Sequence, residues 1–309
     1  MLGDEIMLGK NITIIGGSGG MGQVFGKYFK NHGFNITLYA RNEEKLKKVA
    51  NRLGVKYDVS LEKSVIDADI VMISIPINST PLMIKKVAPL LKKEALIFDI
   101  TSLKHKVYKS LKDVSETFPI NCISLHPMFG PGIKNLKNYV IIYLRVGGTK
   151  NYNDSIDNLL NIFRKDGVII TETTPDTHDL RIALTLGVPH MLNIIFLKLL
   201  KSSNESLKEL TKYTGTTFLL QKVFAESIIQ REMEMFSDIQ MENQEFHKVL
   251  DLFENLVRNY KTIIKNKNKE EFFKMFTEGL EYSKEDNHFK DSYNYFYEFM
   301  KILKNENKN

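Results

Sequence analysis

Short β-branched, apolar runs alternate with amphipathic segments through the first half of the chain. Residues 12–15 form such a run, and a glycine cluster follows it at once. Residues 23–31 then place Val24, Phe25, Tyr28 and Phe29 at helical spacing, which predicts a strand, a tight turn and a helix. Residues 34–39 read as a second strand and Glu43–Leu53 as a charged helix. The near-continuous apolar run 70–75 fits a parallel strand buried on both faces. Residues 95–99 and 122–125 repeat that texture, with helical segments at 81–91 and 104–114, and 140–144 and 168–171 read as later strands. Strands alternating with helices in this way predict an α/β chain built on a Rossmann-type, doubly wound sheet.

From about Thr173 the strand signals stop, and Met, Phe, Leu, Lys and Glu recur at helical spacing to the end. Thr173-Thr174-Pro175-Asp176 suits a junction, because Pro favours a helix start and Thr or Asp can cap one. The expected organisation is a dinucleotide-binding domain over 1–172 and an all-α domain of five or six helices over 173–309, with a frayed end at 305–309. Residues 218, 219, 220, 223, 224, 228 and 229 are apolar around more than one face of a single stretch. A helix of that kind is buried in its domain or against a partner, so the helical half is expected to form a homodimer.

Composition narrows the function classes. The 309 residues suit two domains, and the 43% apolar and 26% charged content is that of an ordinary globular chain. The single Cys122 excludes an intramolecular disulfide and fits a reducing cytoplasm. Residues 1–10 carry Asp4 and Glu5 without a long apolar core, so no leader is expected. The apolar stretch 188–200, interrupted by Pro189, His190 and Lys198, reads as too short and too polar to span a bilayer, so no membrane partner is expected. Lys and Arg number 43 against 37 Asp and Glu, a net charge of +6, and only seven are arginines. The lysines are scattered among acidic and amide residues, a pattern that disfavours nucleic acid and suits a small anionic ligand.

Gly17, Gly19 and Gly22 form G-x-G-x-x-G between the first strand and the first helix, with Ser18 and Met21 inside it. Such a turn lets backbone approach a pyrophosphate and aims the helix's unpaired N–H groups at it. An acidic residue at the end of the second strand would bind the ribose 2′-hydroxyl of NAD. Here Ala40-Arg41-Asn42 stands instead, so NADP is preferred over NAD, with Arg41 on the 2′-phosphate. Arg41 stacked on the adenine is the alternative. No metal cluster is apparent.

The run Ser124-Leu125-His126-Pro127-Met128-Phe129-Gly130-Pro131-Gly132 ends a strand, where sheets of this kind bind their ligands. Together with Ser74-Ile75-Pro76-Ile77-Asn78-Ser79-Thr80 and Asp99-Ile100-Thr101-Ser102-Leu103-Lys104, it resembles the prephenate dehydrogenase family of tyrosine biosynthesis. His178-Asp179, with His190 twelve positions after His178, agrees with the start of that family's helical domain. The resemblance implies oxidative decarboxylation of prephenate to 4-hydroxyphenylpyruvate, with hydride transfer to NAD(P). It implies His126 as the base, Ser102 bonded to it or to the substrate hydroxyl, and Lys104, His190 and His178 near the substrate. It places Ile75 and Pro76 beside the cofactor. A histidine base with its ordinary pKa of about 6.5 suits the task.

One departure stands out. Related enzymes grip a substrate carboxylate with an arginine from a later helix, yet residues 211–227 hold only Lys212 and Lys222. Arg181, a candidate substrate contact, and Arg231 could each replace it. Arogenate dehydrogenase, or a nucleotide-sensing protein without chemistry, are the alternative functions.

Overall fold

The computed structural model describes residues 8–306. Residues 1–7, on which much of the leader argument rests, lie outside it, as do 307–309 and the side chains of 304–306. The frayed end expected at 305–309 therefore falls outside as well, except that backbone 305–306 is helical.

The chain divides into two units, one up to Ile182 and one from Ala183. The first contains β1 (Asn11–Ile15), α1 (Gly20–Asn31), β2 (Asn35–Tyr39), α2 (Glu43–Leu53), β3 (Lys56–Asp58), α3 (Leu61–Val65), β4 (Ile70–Ile73) and α4 (Thr80–Val87). It continues with β5 (Leu96–Asp99), α5 (His105–Thr117), β6 (Asn121–Pro127), β7 (Val140–Gly147), α6 (Tyr152–Lys165), β8 (Ile169–Glu172) and α7 (Pro175–Ile182). The eight strands form one sheet in the order β3-β2-β1-β4-β5-β6-β7-β8. β1 to β6 are mutually parallel, and β7 runs antiparallel to β6. No helix separates β6 from β7, and without a helix to carry the chain across a face of the sheet the connection 128–139 returns it antiparallel.

The alternation of side chains along each strand explains the double winding. Ile12 and Ile14, Ile70 and Met72, and Leu96 and Phe98 point into one core with Phe25, Phe29 and Phe163 from α1 and α6. Ile15, Val71, Ile73 and Ile97 point into the other with Ile84, Val87, Val107 and Leu111 from α4 and α5. Buried Cys122 belongs to this second layer, where burial pushes its thiol pKa up to about 12.

Three elements escaped the pattern. β3 and α3 are too short to show a period, and α6, Tyr152–Lys165, stands between two strands where no helix is expected from sequence. The junction read at 172/173 also differs from the observed division at 182/183. α7 belongs to the sheet unit because its His178 and Asp179 are bonded beneath the strand ends.

The second unit begins with a π turn, Ala183–Gly187. Seven α-helices follow among the described residues: α8 (Val188–Ser202), α9 (Leu207–Lys212), α10 (Thr216–Ile229), α11 (Met233–Met241), α12 (Gln244–Lys265), α13 (Lys269–Ser283) and α14 (Ser292–Glu306). The excess over the expected five or six reflects short pieces such as α9, a six-residue helix capped by Ser206. Ala183, Met191 and Phe246 form a small core of this unit. The helical run Pro175–Ser202 reaches 28 residues, with a mean hydropathy of 1.7 in its most apolar window. By length and composition alone it is long and apolar enough to cross a membrane, so the helix is longer than the stretch 188–200 suggested. Pro189 does not end the helix because it sits in the first turn after the widened π segment, where a missing N–H costs little.

Candidate functional site

The glycine turn follows β1 at the point where the strand order reverses between β1 and β4, the place where open α/β sheets bind ligands. Gly16 and Gly17 both donate backbone N–H groups to Tyr39 O, at 2.9 and 3.1 Å, which closes the turn onto β2. Gly16 has φ +88°, and a Cβ there would collide with the Ser74 carbonyl and lie 2.9 Å from Ile75 Cγ2. A Cβ on Gly22 would lie 2.9 Å from Gly17 Cα. These contacts show that the turn is packed to backbone distance against β4 and the first turn of α1. α1 itself has no capping side-chain bond and no acidic residue in its first turn, so its leading N–H groups are open to an anion. The residues therefore fit a dinucleotide's pyrophosphate. Ser18, Gly19 and Met21 are half-buried along the turn, and half-buried Ile75 and exposed Pro76 lie across from it. Arg41 is exposed just past β2 and pairs with no acidic group among the described residues. A Cβ on Gly20 would meet Pro131 at 2.9 Å, so the turn also abuts the segment that follows His126.

Two strands farther along, β5 and β6 carry a buried polar network. Asp99, at the end of β5, is fully buried and accepts from Ser124 Oγ (2.5 Å), Thr101 N (2.8 Å), Thr101 Oγ1 (2.5 Å) and Lys104 Nζ (2.7 Å). Lys104 Nζ also donates to Leu125 O at 2.6 Å. The ammonium has no exposed surface, so the lysine expected near the substrate is bound here to the protein's own groups. Burial lowers its pKa, and Asp99 offsets part of that. Its place is under the site, tying the loop after β5 to β6.

His126 is 4% exposed near the end of β6, and its Nδ1 lies 2.9 Å from His178 Nε2. His178 Nδ1 lies 2.7 Å from Asp179 Oδ1. The Asp179 carboxylate in turn accepts from Lys104 N (2.9 Å) and His105 N (3.1 Å), the open donors at the start of α5. Burial disfavours the charged forms of both rings. His126 is pushed well below 6.5, further helped by His178 and Lys104, which moves it away from the ordinary value expected from sequence. His178 is lowered too, chiefly by burial, with Asp179 opposing. Burial would raise Asp179, but its bonds to His178, Lys104 and His105 more than compensate and keep it below the usual range.

Ser102 is half-buried on the same loop as Lys104, and its hydroxyl has no hydrogen-bond partner among the described residues. Arg181 is exposed on α7 and already has an interaction within the protein. Asp99 and Ser124 carry no role in the sequence reading. A carboxylate closing an apolar strand was the available signal, since a buried Asp needs a cation nearby.

His190 belongs to the second unit. It packs edge-on to Phe236 with ring centroids 4.6 Å apart, and its Nδ1 is buried without a hydrogen bond. Burial pushes its pKa down to about 4, with the Arg231 guanidinium adding to the effect. Lys212 and Lys222 are held by Glu209 and Glu226 at 2.8 and 3.0 Å, whereas Arg231 has no ion pair among the described residues.

Comparison with known proteins agrees with the order of the two domains along the chain. The family model for the nucleotide-binding domain of prephenate dehydrogenase matches residues 25–141, and that for its dimerization domain matches residues 174–278. A probable arogenate/prephenate dehydrogenase of Methanocaldococcus jannaschii is 32% identical over 88% of this chain and 60% of its own length. The prephenate dehydrogenase of Bacillus subtilis is 25% identical over 75% of this chain and 64% of its own. The chain thus spans 60–64% of the length of these two relatives. Among solved structures, prephenate dehydrogenase from Aquifex aeolicus, crystallised with hydroxyphenyl propionate and NAD+, has the same fold. Its TM-score is 0.73 at 22% identity, covering 90% of this chain and 98% of that one. With both domain models matched in order along one chain, this protein belongs to the prephenate dehydrogenase family.

Proposed function

We propose that the protein oxidatively decarboxylates prephenate to 4-hydroxyphenylpyruvate, with NADP preferred over NAD as the hydride acceptor. The observation that carries this reading is the buried, neutral His126, bonded through one nitrogen only, on the same sheet edge as an open glycine turn. When bound, the nicotinamide supplies the acceptor for the hydride. The chain's own residues do the rest. Gly17, Ser18, Gly19, Met21 and Gly22 cradle the pyrophosphate, Ile75 and Pro76 flank it, and Arg41 takes the 2′-phosphate.

His126 accepts the proton of the ring hydroxyl as hydride leaves the same carbon, and Ser102 orients that hydroxyl. The ring carboxylate leaves as carbon dioxide, and its electron pair completes the aromatic ring. The proton then returns from His126 to the phenol oxygen, so no net proton is released. Lys104 acts from below, as a positioning residue. For the side-chain carboxylate, Arg231 is the better candidate, because it stands unpaired beside His190 while Arg181 is already engaged. Arogenate is the second substrate to consider, supported by the name of the Methanocaldococcus relative. The family's dimerization domain and the exposed Phe224 and Ile229 of α10 support a homodimer.

The test is a panel of prephenate and arogenate with NAD+ and NADP+, following reduced cofactor and carbon dioxide. Equal amounts of both products from prephenate are expected. Turnover of neither substrate would overturn the proposal.

A further inference from the structure

Asp179, His178 and His126 form an unbroken series of hydrogen bonds running from the start of α5 to the end of β6. We infer that Asp179 and His178 are positioning residues, which fix His126 as the Nδ1–H tautomer and leave its Nε2 as the lone pair that takes a proton from substrate. The inference rests on His126 being the base in the proposed reaction.

An ionised carboxylate only accepts, and Asp179 is oriented by two backbone N–H groups that cannot turn away. His178 Nδ1, at 2.7 Å, is therefore the donor. A neutral imidazole carries one N–H, so His178 Nε2 is a lone pair. That nitrogen lies 2.9 Å from His126 Nδ1, which must donate in turn, and His126 Nε2 is left as the acceptor. One carboxylate thus sets two rings in series. Burial of both rings keeps them neutral.

The charged groups facing the pair fit this assignment. Lys104 and Asp99 approach from the loop and strand end of β5, and Asp179 from α7. The Lys104 cation opposes a proton on either ring, while Asp179 favours one on the His178 side. When His126 Nε2 takes the hydroxyl proton, its Nδ1–H can pass to His178 Nε2. The positive charge then sits one ring deeper, against the carboxylate, and retraces the path as the proton returns to the phenol. An extra proton entering the resting pair has the opposite effect: a doubly protonated His178 donates to His126 Nδ1, the remaining N–H sits on Nε2, and the base is blocked.

The test reads the tautomer directly. Full-length protein labelled with 15N-histidine, free of ligands and above pH 7, should give an unprotonated, pyridine-type Nε2 and a protonated, pyrrole-type Nδ1 for His126. The signal is identified by its loss in His126→Asn. The reverse pattern, or an even mixture, would overturn the inference, and this arm needs no positioning variant to fold. In Asp179→Ala the acceptor that orients both rings is gone. The Nδ1–H pattern of His126 should then give way to a mixture of tautomers, and kcat should fall by roughly 10²–10⁴ with KM barely changed. A fall in kcat with the original nitrogen pattern retained would overturn the positioning role. Wild-type protein with the expected nitrogens that turns over neither prephenate nor arogenate would sink the proposed reaction and leave the tautomer assignment standing.

Discussion

Replacing Lys104 with methionine should destabilise the sheet unit far more than an ordinary lysine substitution. The methionine stem fills much of the same space, but the ammonium between Asp99 Oδ2 (2.7 Å) and Leu125 O (2.6 Å) is gone. Asp99 keeps its bonds from Thr101 and Ser124, yet its charge is left fully buried with no counter-ion in contact. Removing one partner of such a pair costs about 3–5 kcal/mol, because the survivor cannot be rehydrated. At about 2–4 °C per kcal/mol for a unit of this size, the melting temperature should fall by about 6–20 °C. Urea unfolding of wild type, Lys104→Met, Asp99→Asn and the double variant would measure both loss and coupling. In the double variant the buried charge is gone, and the Ser124 hydroxyl can turn to accept from the new amide, so much of the stability should return. A single-variant loss below about 1 kcal/mol, or a double variant in which the two losses simply add, would refute the reasoning.

Because burial holds His126 and His178 below their ordinary pKa, the base stays unprotonated beneath pH 6.5. The acid limb of kcat/KM should therefore lie below 6.5; a limb at or above that value would contradict the assignment. The same two rings charge more readily when unfolded, so stability should be full above about pH 6.5 and decline as pH falls below it, measurable by denaturation across pH 5–8. Arg41→Ala should weaken NADP binding by roughly ten- to a hundredfold while sparing NAD, read by titration of each cofactor. Arg231→Ala should raise KM for prephenate more than Arg181→Ala does, and the opposite order in steady-state kinetics would move the carboxylate site. Sedimentation at micromolar concentration should show a dimer, and a monomer of 35.7 kDa would remove the homodimer.

The glycine turn, the strands that carry it and the histidine at the end of β6 were legible because they are local. G-x-G-x-x-G between a β-branched run and a helical period demands a backbone that only one arrangement satisfies. The position of Arg41 just past β2 was readable for the same reason, since it is set by where the strand ends. The partners of Lys104 were not legible because they are not local: Asp99 is five residues away, but Leu125 and Asp179 reach it only when β5, β6 and α7 come together. The contact-based division falls after α7, at 182/183, because α7 is bound by bonds from residues more than fifty positions earlier. The nearly continuous run 175–202 escaped because Pro189 looks like a helix breaker until the π turn before it is seen.

The sequence by itself determined the alternation of strand and helix, the change to an all-helical second half, and the residue types available for chemistry. Periodicity and turn chemistry act within a few residues, so they survive without tertiary contacts. Which nitrogen of His126 is free, which cation is buried and which stands unpaired were decided only by the tertiary structure. Proton position and charge depend on burial and on partners within about 3 Å, and the chain brings those partners together from distant positions.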